Sequence, residues 1–299
     1  MEWNKLKHWS EYPVVAFDTE TSGSYPIESE IIELGAVKWF KGEVIGKFQT
    51  LLSPKAALTE ENIRIHGITN EMLVGAPHMS DKILEFCEFI EGSILIAHHA
   101  PFDLGFLTLA IEKAGLKFPN CFHLCSSLIS RALLHTTNHK LQTLVKELKL
   151  VGGDAHRAYD DAYACLQVFI KSCEKLEGSG SLQGQSQAPL KGQLGFKDEA
   201  QNKATLEKLV SIQAKKIDWD SYRLYTVQDE KLKTLIRAAE QKKTISIVYA
   251  GGSTKSKPRP VTVYGIVRNP DGDYINALCG IDYQRKRFYL NKILDYDLG

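Results

Sequence analysis

The chain has 299 residues, a formal net charge of +1, 43% hydrophobic and 24% charged residues, the balance of an ordinary globular protein with room for two domains. Its first residues lack an apolar core of signal-peptide length, and no later stretch reaches the roughly 18 apolar residues that span a bilayer. No membrane partner and a cytoplasmic location are therefore expected.

Cysteines at 87, 121, 125, 165, 173 and 279 have no disulfide-scaffold spacing and suit a reducing compartment. Cys121, His123 and Cys125 alternate on an extended segment, but no second ligand pair follows at zinc-finger spacing, so they read as core or loop residues. Charge is uneven. Residues 1–175 hold 17 Lys/Arg against 22 Asp/Glu, residues 176–229 hold 7 of each, and residues 230–299 hold 13 against 7. An acidic front can hold cations and a basic tail can attract phosphate.

In chain order, Tyr12 to Phe17 is a β-rich apolar run leading into Asp18. Ile31–Trp39 and Val44–Leu52 read as an antiparallel hairpin turning at Lys41-Gly42. Helical patterns follow around 59–65, 80–90, 103–114, 126–135 and 140–148, interrupted by a short strand, Ile94–Ala97. A last helix spans about 158–175, with Ala162, Cys165, Leu166, Phe169 and Ile170 as its buried stripe. This predicts an α/β domain, a mixed sheet with flanking helices, over residues 1–177. From Gly178 the sequence runs Gly-Ser-Gly-Ser-Leu-Gln-Gly-Gln-Ser-Gln-Ala-Pro, read as a flexible linker. Residues 178–229 form this linker plus a helical segment at 199–216, able to pack on either neighbour.

Three clusters carry chemistry. In Phe17-Asp18-Thr19-Glu20-Thr21, strand alternation puts Asp18 and Glu20 on one face and Thr19 on the other. Two adjacent carboxylates resist burial unless a cation lies between them, and such hard oxygen ligands suit Mg²⁺ or Mn²⁺. Alone, the pair also reads as a charged strand end facing water. Asp103, closing Ala97-His98-His99-Ala100-Pro101-Phe102-Asp103, sits where a helix cap is equally at home. In His156-Arg157-Ala158-Tyr159-Asp160-Asp161-Ala162, a loop histidine precedes a helix whose first-turn acids also suit the helix dipole.

Together these clusters resemble the motifs of the DEDDh (DnaQ-like) 3′→5′ exonucleases, which include bacterial proofreading subunits and ribonuclease T. Ile65-His66-Gly67-Ile68-Thr69 resembles that family's loop beside the terminal nucleotide, and Asn138 to Leu144 also has the family's look. The resemblance covers about residues 10–175 and implies an RNase H-like fold. It implies that Asp18, Glu20, Asp103 and Asp161 hold two divalent cations, Mg²⁺ or Mn²⁺, about 4 Å apart. One would acidify water, the other would stabilise the leaving 3′ oxygen. His156 would be the general base, and nucleoside 5′-monophosphates would leave the 3′ end of single-stranded DNA or RNA. Thr19, Thr21, His66 and Phe102 are the implied contacts to the terminal nucleotide, and for Phe102 core packing is the competing reading. Asp160 is read as an outward-facing acid. His99 stands where the family usually has Asn.

Residues 230–299 begin with a helix, Lys231 to Gln241, and continue as short strands: Thr244–Tyr249, Pro260–Val267, Tyr274–Cys279 and Arg287–Leu290. The pattern predicts a small, partly closed barrel. Ile245–Tyr249, Arg259–Gly265, Asp273–Ile275 and Arg287–Ile293 resemble the WYL domain, an Sm-like (Sm/SH3-like) β-barrel, with Asp273 at the name-giving tryptophan and Tyr289 at an expected arginine. The resemblance implies a nucleotide or single-strand ligand. Arg259 and Arg287 are the candidate contacts, among Lys255, Lys257, Arg285, Lys286 and Lys292 with Tyr274 and Phe288 nearby; a basic surface over core aromatics is the competing reading. Two other functions stay open: a nucleic-acid-responsive regulator using the first domain as a platform, and a polymerase-associated proofreading subunit.

Overall fold

A computed structural model describes residues 2–178, 203–251 and 257–297. The Gly/Ser/Gln-rich stretch from 179, the turn at Gly252 and Lys255 lie outside the described residues. Strands β1 (Val14–Thr21), β2 (Ile31–Phe40), β3 (Glu43–Leu51), β4 (Ile94–Ala97) and β5 (Phe122–Cys125) form one sheet in the order β3-β2-β1-β4-β5. β1, β2 and β3 pair antiparallel, whereas β4 and β5 run parallel to β1. The edge strand β5, absent from the sequence reading, holds the alternating Cys121-His123-Cys125 segment.

Strand alternation divides the core. Val15 and Phe17 enter one cluster, with residues of α2 (Met79–Ile90) and α3 (Pro101–Lys113), while Val14 and Ala16 enter the other, with Cys165, Leu166 and Phe169 of α6 (Ala158–Leu176). This is the period-two pattern of a sheet covered on both sides. Three shorter helices, α1 (Glu60–His66), α4 (Ser126–Leu133) and α5 (Leu141–Glu147), complete this part. β1 runs beyond its apolar stretch to Thr21, so Asp18 and Glu20 sit inside a paired strand opposite Gly35 and Glu33 of β2.

The segment after 203 packs on this first sheet. Ala204, with Leu206 and Leu209 of α7 (Leu206–Gln213), joins the α6-side core, and Ile217, Trp219 and Tyr222 join the α3-side core. Trp219 and Tyr222 belong to the single turn α8 (Trp219–Tyr222), and the Trp219 Nε1–H donates to Pro119 O at 2.8 Å. Gln213 Oε1 accepts the backbone N–H of Cys125 at 2.7 Å, so a buried side chain satisfies the open edge that β5 would otherwise present. Glu112, near the end of α3, accepts the N–H groups of Leu224, Tyr225 and Thr226 at 2.8, 3.2 and 3.0 Å, and the Thr226 hydroxyl at 2.7 Å. The described part of the expected linker, residues 203–226, is thus anchored, because its apolar residues complete a core that the first 177 leave open.

The second sheet follows α9 (Glu230–Glu240). It contains β6 (Thr244–Tyr249), β7 (Pro258–Val267), β8 (Tyr274–Cys279), β9 (Arg285–Tyr289) and β10 (Ile293–Asp297), all antiparallel, in the order β10-β6-β7-β8-β9. Leu232, Leu235, Ile236 and Ala239 of α9 pack on Ile245, Ile247, Val261, Val263 and Ile275. Among the described residues no pairing joins β9 to β10, so the expected barrel is an open five-stranded sheet here. Leu109 of α3 and Leu224 belong to this second core. The loop after β1 also reaches it: Asn276 Nδ2 donates to the Tyr25 hydroxyl at 2.6 Å. A side chain at Gly265 would meet Tyr25 Cβ at 2.8 Å.

Because residues 203–226 fill the first core, a 1–177 fragment is expected to lose stability on the order of 5 kcal/mol, from the apolar area of a few buried side chains. Urea unfolding monitored by circular dichroism checks this, and equal midpoints for fragment and full chain would contradict it.

Candidate active site

The C-terminal end of β1 lies between the first turns of α3 and α6, each bearing an aspartate. Asp103 is buried on α3; its Oδ1 accepts the backbone N–H of Thr19 at 3.1 Å and the Thr19 hydroxyl at 2.8 Å. Thr19, on the α3 face of the strand, ties that helix to the site. Asp161 is buried at the start of α6; its Oδ1 accepts from Gln142 Nε2 at 2.9 Å and its Oδ2 from the backbone N–H of His156 at 3.1 Å. Glu20, 9% exposed, and the half-buried Asp18 complete the cluster.

The tightest grouping is Glu20, His156 and Asp161, with one ligand-type atom of each within 4.8 Å of the others. His156 is exposed and has a left-handed backbone (φ 62°). The structure brings His156 to Glu20 and Asp161, and sets Asp18 within reach of the charges of Asp103, Glu20 and Asp161.

Crowding shows in the proton affinities. Burial, reinforced by the charges of Asp161, Glu33 and Asp103, pushes the Glu20 carboxyl up to about 8. Burial raises Asp103 to about 7 against the two Thr19 hydrogen bonds, and raises Asp161 despite the N–H of His156. Asp18 is pushed well up, by removal from water first and by Asp103 next. Four acids that all resist ionisation fit a site completed by divalent cations, and their hard oxygen donors match Mg²⁺ or Mn²⁺.

Glu33 carries a positioning role that sequence reading missed. It is fully buried on β2, opposite Glu20, and accepts Arg157 Nη2 at 2.9 Å, Arg157 Nε at 3.2 Å and the Ala158 N–H at 3.1 Å. A bidentate Arg–carboxylate pair with a helix-start N–H fixes both direction and height, so Glu33 sets where α6 begins. Gly35, two residues on, permits the approach: a Cβ there would lie 2.1 Å from Tyr159 N and 2.3 Å from Ala158 C. Gln142 was also missed as a partner of Asp161, although its stretch had been noted. The signal available was a glutamate inside an otherwise apolar strand and an arginine beside the histidine.

His98 Nδ1 faces the Ser126 hydroxyl at 2.8 Å, and its Nε2 faces His139 O at 2.9 Å. A carbonyl needs a donor, so Nε2 carries the hydrogen and Nδ1 accepts. Burial holds this ring down to about 4, keeping it neutral. His99 is exposed with φ 74°, a left-handed conformation in which Asn and His are both enriched; this accounts for the exchange of one for the other. Asp160 Oδ2 accepts the Asp154 N–H at 3.0 Å, bracing the loop before His156.

The expected nucleotide contacts divide. His66 is 5% exposed; its Nδ1 accepts the Ile68 N–H at 3.1 Å, and its Nε2 is buried without a protein partner. Burial first, then His156, lowers its pKa, so Nε2 is an unsatisfied donor near His156. The Thr19 hydroxyl is committed to Asp103, and that of Thr21 to Gly23 O at 2.7 Å, where the chain leaves the strand. Phe102 is half-buried with its ring 5.1 Å from Phe106. In the second sheet Arg259 is 5% exposed, inside rather than on the surface, with its guanidinium 5.9 Å from the ring of buried Phe288. Arg287 is exposed, but it lies 5.2 Å over Tyr274 and so covers the face that a base would use.

The exonuclease family model RNase_T matches residues 15–169, and the chain belongs to that family. It is 34% identical over 159 residues to DNA polymerase III subunit epsilon of Treponema pallidum, over 52% of this chain and 73% of that one. It is 36% identical over 168 residues to the PolC-type DNA polymerase III of Caldanaerobacter subterraneus, over 56% of this chain and 12% of that one, so it spans only a small part of that polymerase's length. Among solved structures, the nuclease domain of 3′hExo bound to rAMP aligns with TM-score 0.46 and 19% identity over 54% of this chain and 91% of that one. E. coli exonuclease I with a dA16 oligonucleotide aligns with TM-score 0.48 and 13% identity over 89% of this chain and 55% of that one.

Two outcomes follow from the packing and the charges. Gly35→Ala is expected to cost about 3 kcal/mol of stability, because backbone rather than a movable side chain blocks the added methyl, with the loss read from urea midpoints. An acid whose pKa is raised by folding stabilises the folded state below its unfolded value and loses that contribution as pH rises through the folded value. Chelator-treated protein should therefore lose melting temperature as Glu20 and Asp103 ionise, between about pH 4 and pH 8. Mn²⁺ or Mg²⁺ should restore more at the upper end than at the lower, and an equal gain at both ends would contradict this assignment.

Proposed function

We propose that the chain is a DEDDh-type 3′→5′ exonuclease that hydrolyses single-stranded DNA or RNA to nucleoside 5′-monophosphates. The observation that carries the reading is the clustering of Asp18, Glu20, Asp103 and Asp161, where burial first raises all four and charges within the cluster add to the rise at Asp18, Glu20 and Asp103. Asp18, Glu20, Asp103 and Asp161 would hold two divalent cations, which when bound would offset the charge of the acids toward a phosphodiester and acidify water.

The chain's own groups do the rest. His156 stands on an exposed loop whose backbone is fixed by Asp161, placed to take a proton from attacking water. The unsatisfied Nε2–H of His66 is suited to an oxygen of the terminal nucleotide. Thr19 positions Asp103 rather than touching substrate, and Glu33 with Arg157 positions Asp161 and His156. Phe102, beside Asp103, offers its half-buried ring to the terminal base.

Residues 230–299 are read as a WYL-like, Sm-type accessory module. A strand order in which the last strand returns beside the first, with a helix packed on the sheet, supports this. Its nucleic-acid contacts would use the exposed Arg287 and Arg285 rather than the buried Arg259. A second reading, proofreading beside a polymerase, is favoured by the similarity to the epsilon subunit and PolC; faster removal of a mispaired primer end than of a free strand would support it.

Matched 5′-labelled single-stranded DNA and RNA, incubated with Mg²⁺ and then Mn²⁺, should give ladders that shorten from the 3′ end. Asp18→Asn should abolish them, and His156→Ala should lower kcat by a factor on the order of 100 or more. Ladders unchanged in either variant would rule the assignment out.

A further inference from the structure

A groove enclosing about 390 Å³ runs from the loop after β1 across α3 to the start of α2, with Pro26, Ile31, Met79, Phe106 and Ala110 supplying much of its wall. That volume suits a single nucleotide. Its position relative to the acidic centre follows from helix geometry. Asp103, Phe106, Ala110 and Lys113 recur at spacings of three and four and so share one face of α3. Asp103 and Lys113 are then about 15 Å apart along the helix axis. The groove therefore continues away from the acidic centre along the helix that carries one of its carboxylates.

The polar lining is cationic at the far end. Lys55 and Lys113 both line the groove and are exposed, and among the described residues neither ammonium has a carboxylate within ion-pair distance. Glu30 also lines the groove, but its Oε2 accepts the backbone N–H of Lys55. The Lys113 ammonium is lowered by burial and then by Lys55, against Glu30 and Glu240, as two cations facing one space would be. Two lysines against one lining carboxylate, Glu30, among the described residues leave the far end of this apolar groove net cationic, complementary to a base with its phosphate.

We infer that this groove is an upstream nucleotide subsite, which takes a base and phosphate of the single strand lying 5′ of the two nucleotides nearest the acidic centre. The inference rests on the exonuclease reading and deepens it. The groove wall belongs to the loop between β1 and β2, which the second sheet grips through Tyr25 and Asn276. The accessory module thereby fixes the shape of the subsite without touching the strand there.

The test uses the full chain with Lys55→Glu and Lys113→Glu combined, and Ca²⁺ in place of the activating ion. Anisotropy is read with a labelled oligothymidylate of about ten nucleotides and with a dinucleotide too short to reach the lysines. The Kd of the longer strand should rise on the order of tenfold relative to that of the dinucleotide. Its slope of log affinity against log salt should fall by about one, from the loss of one or two phosphate contacts. The pair Lys55→Gln and Lys113→Gln, which adds no repulsion, should shift the ratio in the same direction at unchanged melting temperature.

An unchanged ratio in both variants would overturn the subsite. So would loss of calorimetric binding of free thymidine 5′-monophosphate with unchanged strand affinity, which would assign the groove to a free nucleotide. Failure of the exonuclease reading would appear separately, as a wild-type chain that shortens no strand, while the binding ratio would still report on the groove.

Discussion

Repulsion among four carboxylates is the constraint around which the first half of the molecule is built. Such a cluster disperses unless each member is held by a group that cannot move away. Asp18 and Glu20 are fixed by strand pairing with Gly35 and Glu33 of β2, Asp103 by the hydroxyl and N–H of Thr19, and Asp161 by Gln142 and the His156 N–H. The largest restraint lies behind the cluster, where buried Glu33 grips Arg157 and the first N–H of α6. Its own negative charge adds to the strain on Glu20 and Asp18, yet its partner is a guanidinium that stays charged at any working pH. The fold accepts a fifth acid near the centre because that acid fixes the helix bearing the fourth.

How much of this was legible in the sequence depended on whether the partners were local. The three acidic motifs stand at element ends, where short apolar runs and first-turn residues mark the position, so Asp18, Glu20, Asp103, His156 and Asp161 could be named once the three motifs together were seen to resemble those of the exonuclease family. Glu33 and Gly35 could not, because their roles exist only across a strand pair and against a helix more than a hundred residues away. β5 is only four residues long, and the N–H of Cys125 at its end is satisfied by the side chain of Gln213 rather than by another strand.

The second sheet taught a different limit. Arginines spaced along short strands read as a basic surface, but alternation sends every second one inward, and a long side chain can then be enclosed with an aromatic partner. Arg259 is buried near Phe288 while Arg287 stays outside over Tyr274. The anchoring of residues 203–226 was open for a related reason: an amphipathic helix shows in sequence that it needs a partner, but not which side offers the vacancy. Here the vacancy was the exposed edge and open core of the first sheet.

Helix α3 bears Asp103 in its first turn and, near its far end, Glu112, whose carboxylate collects four donors from the strap entering the second sheet. A helix of this length bends little, so the two carboxylates behave as opposite ends of a lever. The strap that leads into the distal sheet and the aspartate held by Thr19 are thus joined through one stiff element.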